Sequence, residues 1–256
     1  MATTWPTRRT STRPHNRLPQ LLRDNAHTPR RYACQVSADA AEGATTIWLY
    51  DVIGANAWGG VDAARFVQDV ASISAPVIHL RINSPGGDVF DARAMATALR
   101  EHPARIVAHI DGLAASAASY VALAADEVEI SDGAFLMIHN AWGVVLGNRH
   151  DLLEMALALE KVDASIAADY QRKSGQDLAT VQGWMDAETW FTAQEALGVG
   201  LVDRIAVPTA SPASATPQQR WNLSAYPDAP SMQSRAFPAS DARERWRRLA
   251  VVERCT

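Results

Sequence analysis

A serine, a histidine and two acids stand where this chain changes from one regular element to another. Ser116 lies in Gly112-Leu113-Ala114-Ala115-Ser116-Ala117-Ala118-Ser119, at a helix start among residues too small to block access. A helix N-terminus offers unpaired N–H groups and a positive dipole end, both suited to an oxyanion. The ordinary alternative is a serine capping a close-packed helix, and Ser116 alone favours that alternative. His139, in Met137-Ile138-His139-Asn140, closes an apolar strand, from where an imidazole can reach a neighbouring strand-helix junction. His15, His27, His102 and His150 fall in loops or tails, and His79 and His109 fall inside strands. A serine hydroxyl needs a base to take its proton, and the base needs an orienting acid. Asp186 and Glu188 are the candidates, with solvation of a helix end as their ordinary use.

A further segment, Asn83-Ser84-Pro85-Gly86-Gly87-Asp88, separates a strand from a helix. Adjacent glycines let the backbone take φ > 0 and approach a ligand closely. N–H groups of such a turn can bind an anion or an extended peptide. Taken alone, the segment reads as an ordinary turn.

The elements that must hold these residues follow from periodicity. Strands are expected at 46–50, 77–82, 105–110, 127–130, 134–138 and 201–205. Helices are expected at 61–74, 88–101, 115–125, 150–173, 178–184 and 193–198, the fourth carrying Leu152, Leu153, Met155, Leu159, Val162 and Ile166. Asp111-Gly112 reads as the turn from the third strand into the Ser116 helix. Repeated strand-helix alternation argues for an α/β fold with largely parallel pairing.

The 256 residues, 48% hydrophobic, suit one globular domain with extra segments. Residues 1–45 read as a largely disordered Arg-rich extension, 46–207 as the folded domain, and 208–256 as a Pro/Ala/Ser linker with a basic tail. A short amphipathic helix is expected near 240–253. Residues 1–33 hold seven arginines against one acid, and 208–256 hold seven against four. The middle is correspondingly acidic, so tails folding back on the body or on a neighbouring subunit are expected. Nucleic acid is not, because neither tail interleaves aromatics with its arginines. No run approaches the roughly 20 apolar residues a membrane helix needs, and no signal-peptide core opens the chain, so a cytoplasmic location is expected. An organellar transit segment shares the Arg-rich make-up, but no cleavage signature accompanies it. Cys34 and Cys255 stand apart from any metal-ligand spacing and imply no disulfide framework.

Together, I-N-S-P-G-G (82–87), G-L-A-A-S-A (112–117), M-I-H-N (137–140) and W-F-T-A-Q-E-A-L-G-V-G-L-V-D (190–203) resemble the ClpP family of serine peptidases over about residues 46–207. The resemblance implies a crotonase-like spiral of ββα units, with 150–173 as a long handle helix between rings. It implies Ser116 as nucleophile, His139 as general base, and the N–H groups of Gly87 and Ala117 as the oxyanion hole. Counting back from W-F-T-A-Q-E-A, it puts the triad acid on Glu188 where the family has aspartate. Glutamate serves elsewhere in that role, and Asp186 is the fallback. No metal or organic cofactor is implied. The implied partners are a protein or peptide substrate and further copies of the chain in a ring, with a Clp ATPase as a candidate. D-G-L-A-A-S-A-A-S, M-I-H-N-A-W-G and M-D-A-E-T-W-F-T-A further resemble the ClpP-related proteases of tailed phages and prophages, which process capsid or scaffold protein during head maturation. That expectation places the chain in the host cytoplasm or within the prohead. A Ser-Lys enzyme on the same fold is set aside because the only lysines, Lys161 and Lys173, lie on the long helix. A non-catalytic assembly protein is set aside because Ser116 and His139 are both present.

Overall fold

The computed structural model describes residues 17–29, 31–36, 43–54, 59–206 and 221–230. In chain order its elements are α1 (Arg17–Asp24), β1 (Arg31–Val36), β2 (Ala44–Tyr50), α2 (Ala63–Ala71), β3 (Val77–Ser84), α3 (Val89–Glu101), β4 (Arg105–Ala115), α4 (Ala117–Ala122), β5 (Glu127–Ile130), β6 (Phe135–Ile138), α5 (Arg149–Ser174), α6 (Leu178–Asp186), β7 (Thr189–Thr192), α7 (Ala193–Gly198) and β8 (Arg204–Ile205). The sheet has eight strands in the order β1-β2-β3-β4-β5-β8, and β6 pairs both β4 and β7. The pairs β2–β3, β3–β4, β4–β5, β4–β6 and β5–β8 are parallel, while β1 and β7 are antiparallel to their neighbours. This is the α/β architecture expected from the strand-helix alternation.

Alternation along β3 explains how the main core forms. Ile78, Leu80 and Ile82 are buried, whereas His79 and Arg81 lie on the opposite face. The buried face packs on Phe66 and Val70 of α2 and on Met95 and Leu99 of α3. The opposite face is polar: His79 Nδ1 meets His109 Nε2 at 2.9 Å, and His109 Nδ1 meets Glu129 at 3.2 Å. The helix starts follow local chemistry. Asp62 and Asp88 cap α2 and α3, and Asn148 with Asp151 forms a capping box on α5. Each such cap contributes about 1 kcal/mol.

Three expectations need correction. Asp111-Gly112 is not a turn, because β4 runs through it to Ala115. Asp111 is held there by Arg81 of the adjacent β3 and by the Tyr50 hydroxyl, which donates to it at 2.5 Å from β2, two strands away. The extra length lets β4 pair β5 through 107–110 and then β6 through 113–115. Within residues 1–45, expected to be largely disordered, α1 and β1 are formed. Backbone pairing of β1 on β2, and burial of Leu21 and Leu22, overrode a polar composition. Nor are residues 208–256 only linker and tail. Trp221, Leu223, Ala225 and Tyr226 join Leu21, Leu22, Val52, Leu113, Ala115 and Met137 in a second apolar cluster. The helix expected at 240–253 and Cys255 lie outside the described residues.

Candidate active site

Ser116 follows the last residue of β4 and occupies the N-cap position of α4, yet its side chain makes no capping bond. Its hydroxyl instead lies 2.7 Å from Nε2 of His139. The capping use that the sequence favoured for Ser116 alone is thus not the one adopted. The backbone there is unusual, at φ 54° and ψ −125°. Ser116 and Glu188 (φ 50°) are the two non-glycine residues with positive φ among those described. Such conformations cost about 1–3 kcal/mol each and gather at functional sites. The bend at Ser116 resembles the strained strand-to-helix turn that lifts a nucleophile out of a sheet. Its own N–H still donates to the Met137 carbonyl at 2.9 Å, and its carbonyl accepts from the Ser119 hydroxyl at 2.6 Å. With that proton committed, Ser119 accepts from Tyr170 at 2.7 Å, so α5 braces the bend. Burial raises the Tyr170 phenol well above its ordinary value, which keeps it a donor.

His139 follows β6 directly, and Glu188 directly precedes β7. Because Ile138 pairs with Thr189 in the antiparallel ladder, the register sets residue 188 opposite residue 139. Both are buried. Glu188 Oε1 accepts the Asp228 N–H at 3.1 Å. Asp186 lies at the surface, where its carboxylate accepts from the Asn140 side chain at 2.6 Å. After Asn140, the Ala141 N–H donates to Asp163 of α5 at 2.6 Å. Burial raises the Asp163 pKa, with the Ala141 N–H pulling the other way.

The two glycines of the turn meet different neighbours. Gly86 has φ 92°, and a Cβ there would stand 2.5 Å from the Ala115 carbonyl oxygen and 2.8 Å from Ser116 Cβ. Gly87 has φ 151°, and a Cβ there would stand 1.9 Å from the Ile53 carbonyl oxygen. The turn is thus pressed against the Ser116 bend on one side and the strand-like Ile53 segment on the other. Gly86→Ala is expected to push the turn away from Ser116 and slow fluorophosphonate labelling of that serine by about 100-fold, the scale of losing one oxyanion donor. Time-resolved intact-mass labelling checks this, with circular dichroism confirming the fold.

Gly87, Ser116, Ala117 and His139 line one cavity of about 420 Å³, closed further by Trp142, Met155, Leu159 and Tyr170. The arrangement can move the Ser116 proton to His139, and it presents an apolar recess beside the reacting oxygen. The sequence reading missed the bracing Ser119–Tyr170 pair and the contribution of 221–228. The alternation Trp221-Asn222-Leu223-Ser224-Ala225 carried a signal for the latter. Among the described residues, no group of three or more His, Cys, Asp or Glu could hold a metal, and no helix is long and apolar enough to cross a membrane.

Comparison with known proteins gives relatives among the proteolytic subunits of ATP-dependent Clp proteases. The chain is 27% identical over 163 residues to the ATP-dependent Clp protease proteolytic subunit 1 of Protochlamydia amoebophila (strain UWE25), covering 62% of this chain and 79% of that protein. It is 30% identical over 145 residues to subunit 1 of the same protease from Leifsonia xyli subsp. xyli (strain CTCB07), covering 56% and 74%. It is 28% identical over 134 residues to the proteolytic subunit of Chlorella vulgaris, covering 52% and 67%. The family model described as Clp protease matches residues 66–209, a span that contains the glycine turn, Ser116, His139 and Glu188. That match covers more than half of the chain, and the chain belongs to the Clp protease family.

Proposed function

We propose that this Clp-family serine peptidase cuts peptide bonds through Ser116, His139 and Glu188. The observation that carries the proposal is the 2.7 Å contact between the Ser116 hydroxyl and His139 Nε2, at a strained bend facing a cavity. His139 takes the Ser116 proton as the oxygen attacks a peptide carbonyl. The N–H groups of Gly87 and Ala117 receive the oxyanion. His139 returns the proton to the leaving amine, and the same base then activates the water that releases the acyl group. Glu188 orients the imidazole. These steps use no metal or organic cofactor. The substrate lies extended along the Gly86-Gly87 segment, backbone to backbone. A large apolar side chain of the substrate fills the recess lined by Trp142, Met155 and Leu159.

The finer reading is processing of a phage capsid or scaffold protein during head maturation, in the host cytoplasm or the prohead. Its support is the resemblance around Ser116, His139 and Glu188, together with basic segments on either side of the matched span. The housekeeping reading, a degradative subunit driven by a Clp ATPase, is supported by the names of the relatives above. Assembly into a ring is part of both. It is supported by Leu152, Leu153 and Leu157 of α5, each at least half exposed in the single chain. Co-expression with candidate head proteins, followed by mass spectrometry, separates the readings. Cleavage of one head protein at a defined site without ATP is expected. Degradation that starts only when a Clp ATPase and ATP are added would overturn the finer reading.

A further inference from the structure

Residues 221–230 lie beyond the span matched by the family model, yet they touch the glycine turn, the base and the acid. Trp221 Nε1–H donates to the Asn83 carbonyl at 3.1 Å and to its side-chain oxygen at 3.2 Å. The Tyr226 hydroxyl donates to the Pro85 carbonyl at 2.5 Å. The Tyr226 ring meets the His139 ring edge-on, with centroids 5.6 Å apart and planes at 86°, and also abuts Trp190 at 5.9 Å. Two residues on, the Asp228 N–H donates to Glu188. We infer that residues 221–228 are a strap that sets the geometry of the catalytic groups, with Tyr226 as a positioning residue for His139 and for the Gly86-Gly87 turn. The inference rests on the peptidase reading given above.

Two glycines at positive φ give the turn little conformational preference of its own, and the Gly86 carbonyl, which accepts the Ile53 N–H at 2.8 Å, orients the peptide unit that carries the Gly87 N–H. Donors on the carbonyls of Asn83 and Pro85 fix the peptide units just before it. An edge-on aromatic contact favours one plane of the imidazole over others, and that plane decides whether Nε2 points at Ser116. The N–H given to Glu188 fixes the carboxylate across the ladder from His139. The strap is itself held from the other end of the chain. Asn25 donates to the Asn222 carbonyl at 3.1 Å and accepts the Asn222 N–H at 2.7 Å, while Leu21 and Leu22 of α1 pack in the same cluster. Burial of Tyr226 at 3% exposure places its hydroxyl out of reach of bulk water. Such a contact is costly to leave unmade.

Tyr226→Phe keeps the ring and removes the donor, and Trp221→Phe removes the indole donor at Asn83 while keeping a smaller aromatic side chain. Each is compared with the full-length wild type for kcat, KM and fluorophosphonate labelling of Ser116. With Tyr226→Phe, kcat and the labelling rate are expected to fall together by about tenfold, the scale of one lost hydrogen bond. KM should stay within about twofold, because the apolar recess is untouched. Trp221→Phe is expected to act in the same direction. A wild type that is folded but fails to label would sink the peptidase reading itself. A wild type that labels normally, beside variants of unchanged kcat assayed while folded, would overturn the strap alone. So would a loss confined to melting temperature.

Discussion

Replacing Ser116 with alanine is expected to lower kcat for a peptide substrate by about 10⁶-fold, the scale on which loss of a serine nucleophile acts elsewhere. In the proposed mechanism the oxygen removed is the atom that forms the acyl bond, and neither His139 nor the turn can substitute for it. Some catalysis over water should remain, because the glycine turn and the recess still bind and polarise a carbonyl. Stability should change little. The Ser116 hydroxyl caps no helix N–H, and its backbone bonds to Met137 and Ser119 do not involve the side chain that is lost. Alanine meets the same positive φ as serine, so the strain at the bend is conserved rather than relieved. Steady-state turnover, single-site labelling by a fluorophosphonate and thermal denaturation test the three parts separately. Turnover within tenfold of wild type in a folded Ser116→Ala sample would remove Ser116 from the chemistry.

The parts of the fold that read well from the sequence are those in which one pattern decides the outcome. Ile78, Leu80 and Ile82 alternate, Ser84-Pro85-Gly86-Gly87 breaks the strand and Asp88 caps the helix that follows, so β3 and α3 were legible almost to the residue. Asp111-Gly112 was not, because the turn propensity of that pair is local, whereas its partners Arg81 and Tyr50 come from other strands. The same reason hid α1, β1 and the segment 221–230. Each is too short to show a period, and each is ordered by contacts across the chain, as between Asn25 and Asn222. On α5 the apolar residues divide into two groups. Ile166 and Ala167 are buried in the single chain, but Leu152, Leu153 and Leu157 are not. Of the candidate site, the pairing of Ser116 with His139 could be suspected from residue types, whereas the preference for Glu188 over Asp186 came from the family resemblance, by counting back from W-F-T-A-Q-E-A. By residue type alone the two acids are alike, and the register of β6 on β7, with Ile138 opposite Thr189, is the observation that sets residue 188 across from residue 139.

That choice carries the second large expected effect. Glu188→Gln is expected to lower kcat by about 10³ to 10⁴-fold, as removal of the orienting charge does in other Ser-His-acid enzymes. Asp186→Asn should change it by less than about threefold, as a surface group does. The reasons are geometric. Ile138 pairs with Thr189, so residue 188 faces residue 139 across the ladder, buried and held at φ 50°. A glutamate keeps so strained a backbone only where its surroundings over-determine it. Asp186, by contrast, accepts from the Asn140 side chain at the surface. The Asp228 N–H at Glu188 Oε1 sharpens the expectation. In the glutamine variant that donor selects the amide oxygen, which turns the NH₂ group toward the space the second carboxylate oxygen held. A donor there cannot accept a ring N–H, so the imidazole tautomer with Nε2 free to take the Ser116 proton loses its support. Glu188→Asp keeps the charge with a shorter arm and should recover most of the loss. Steady-state kinetics on the three variants decide the matter, with fluorophosphonate labelling as a readout independent of substrate. A large loss in Asp186→Asn beside near-normal Glu188→Gln would move the orienting role to Asp186 and require β6 and β7 to pair in a different register when the enzyme is active.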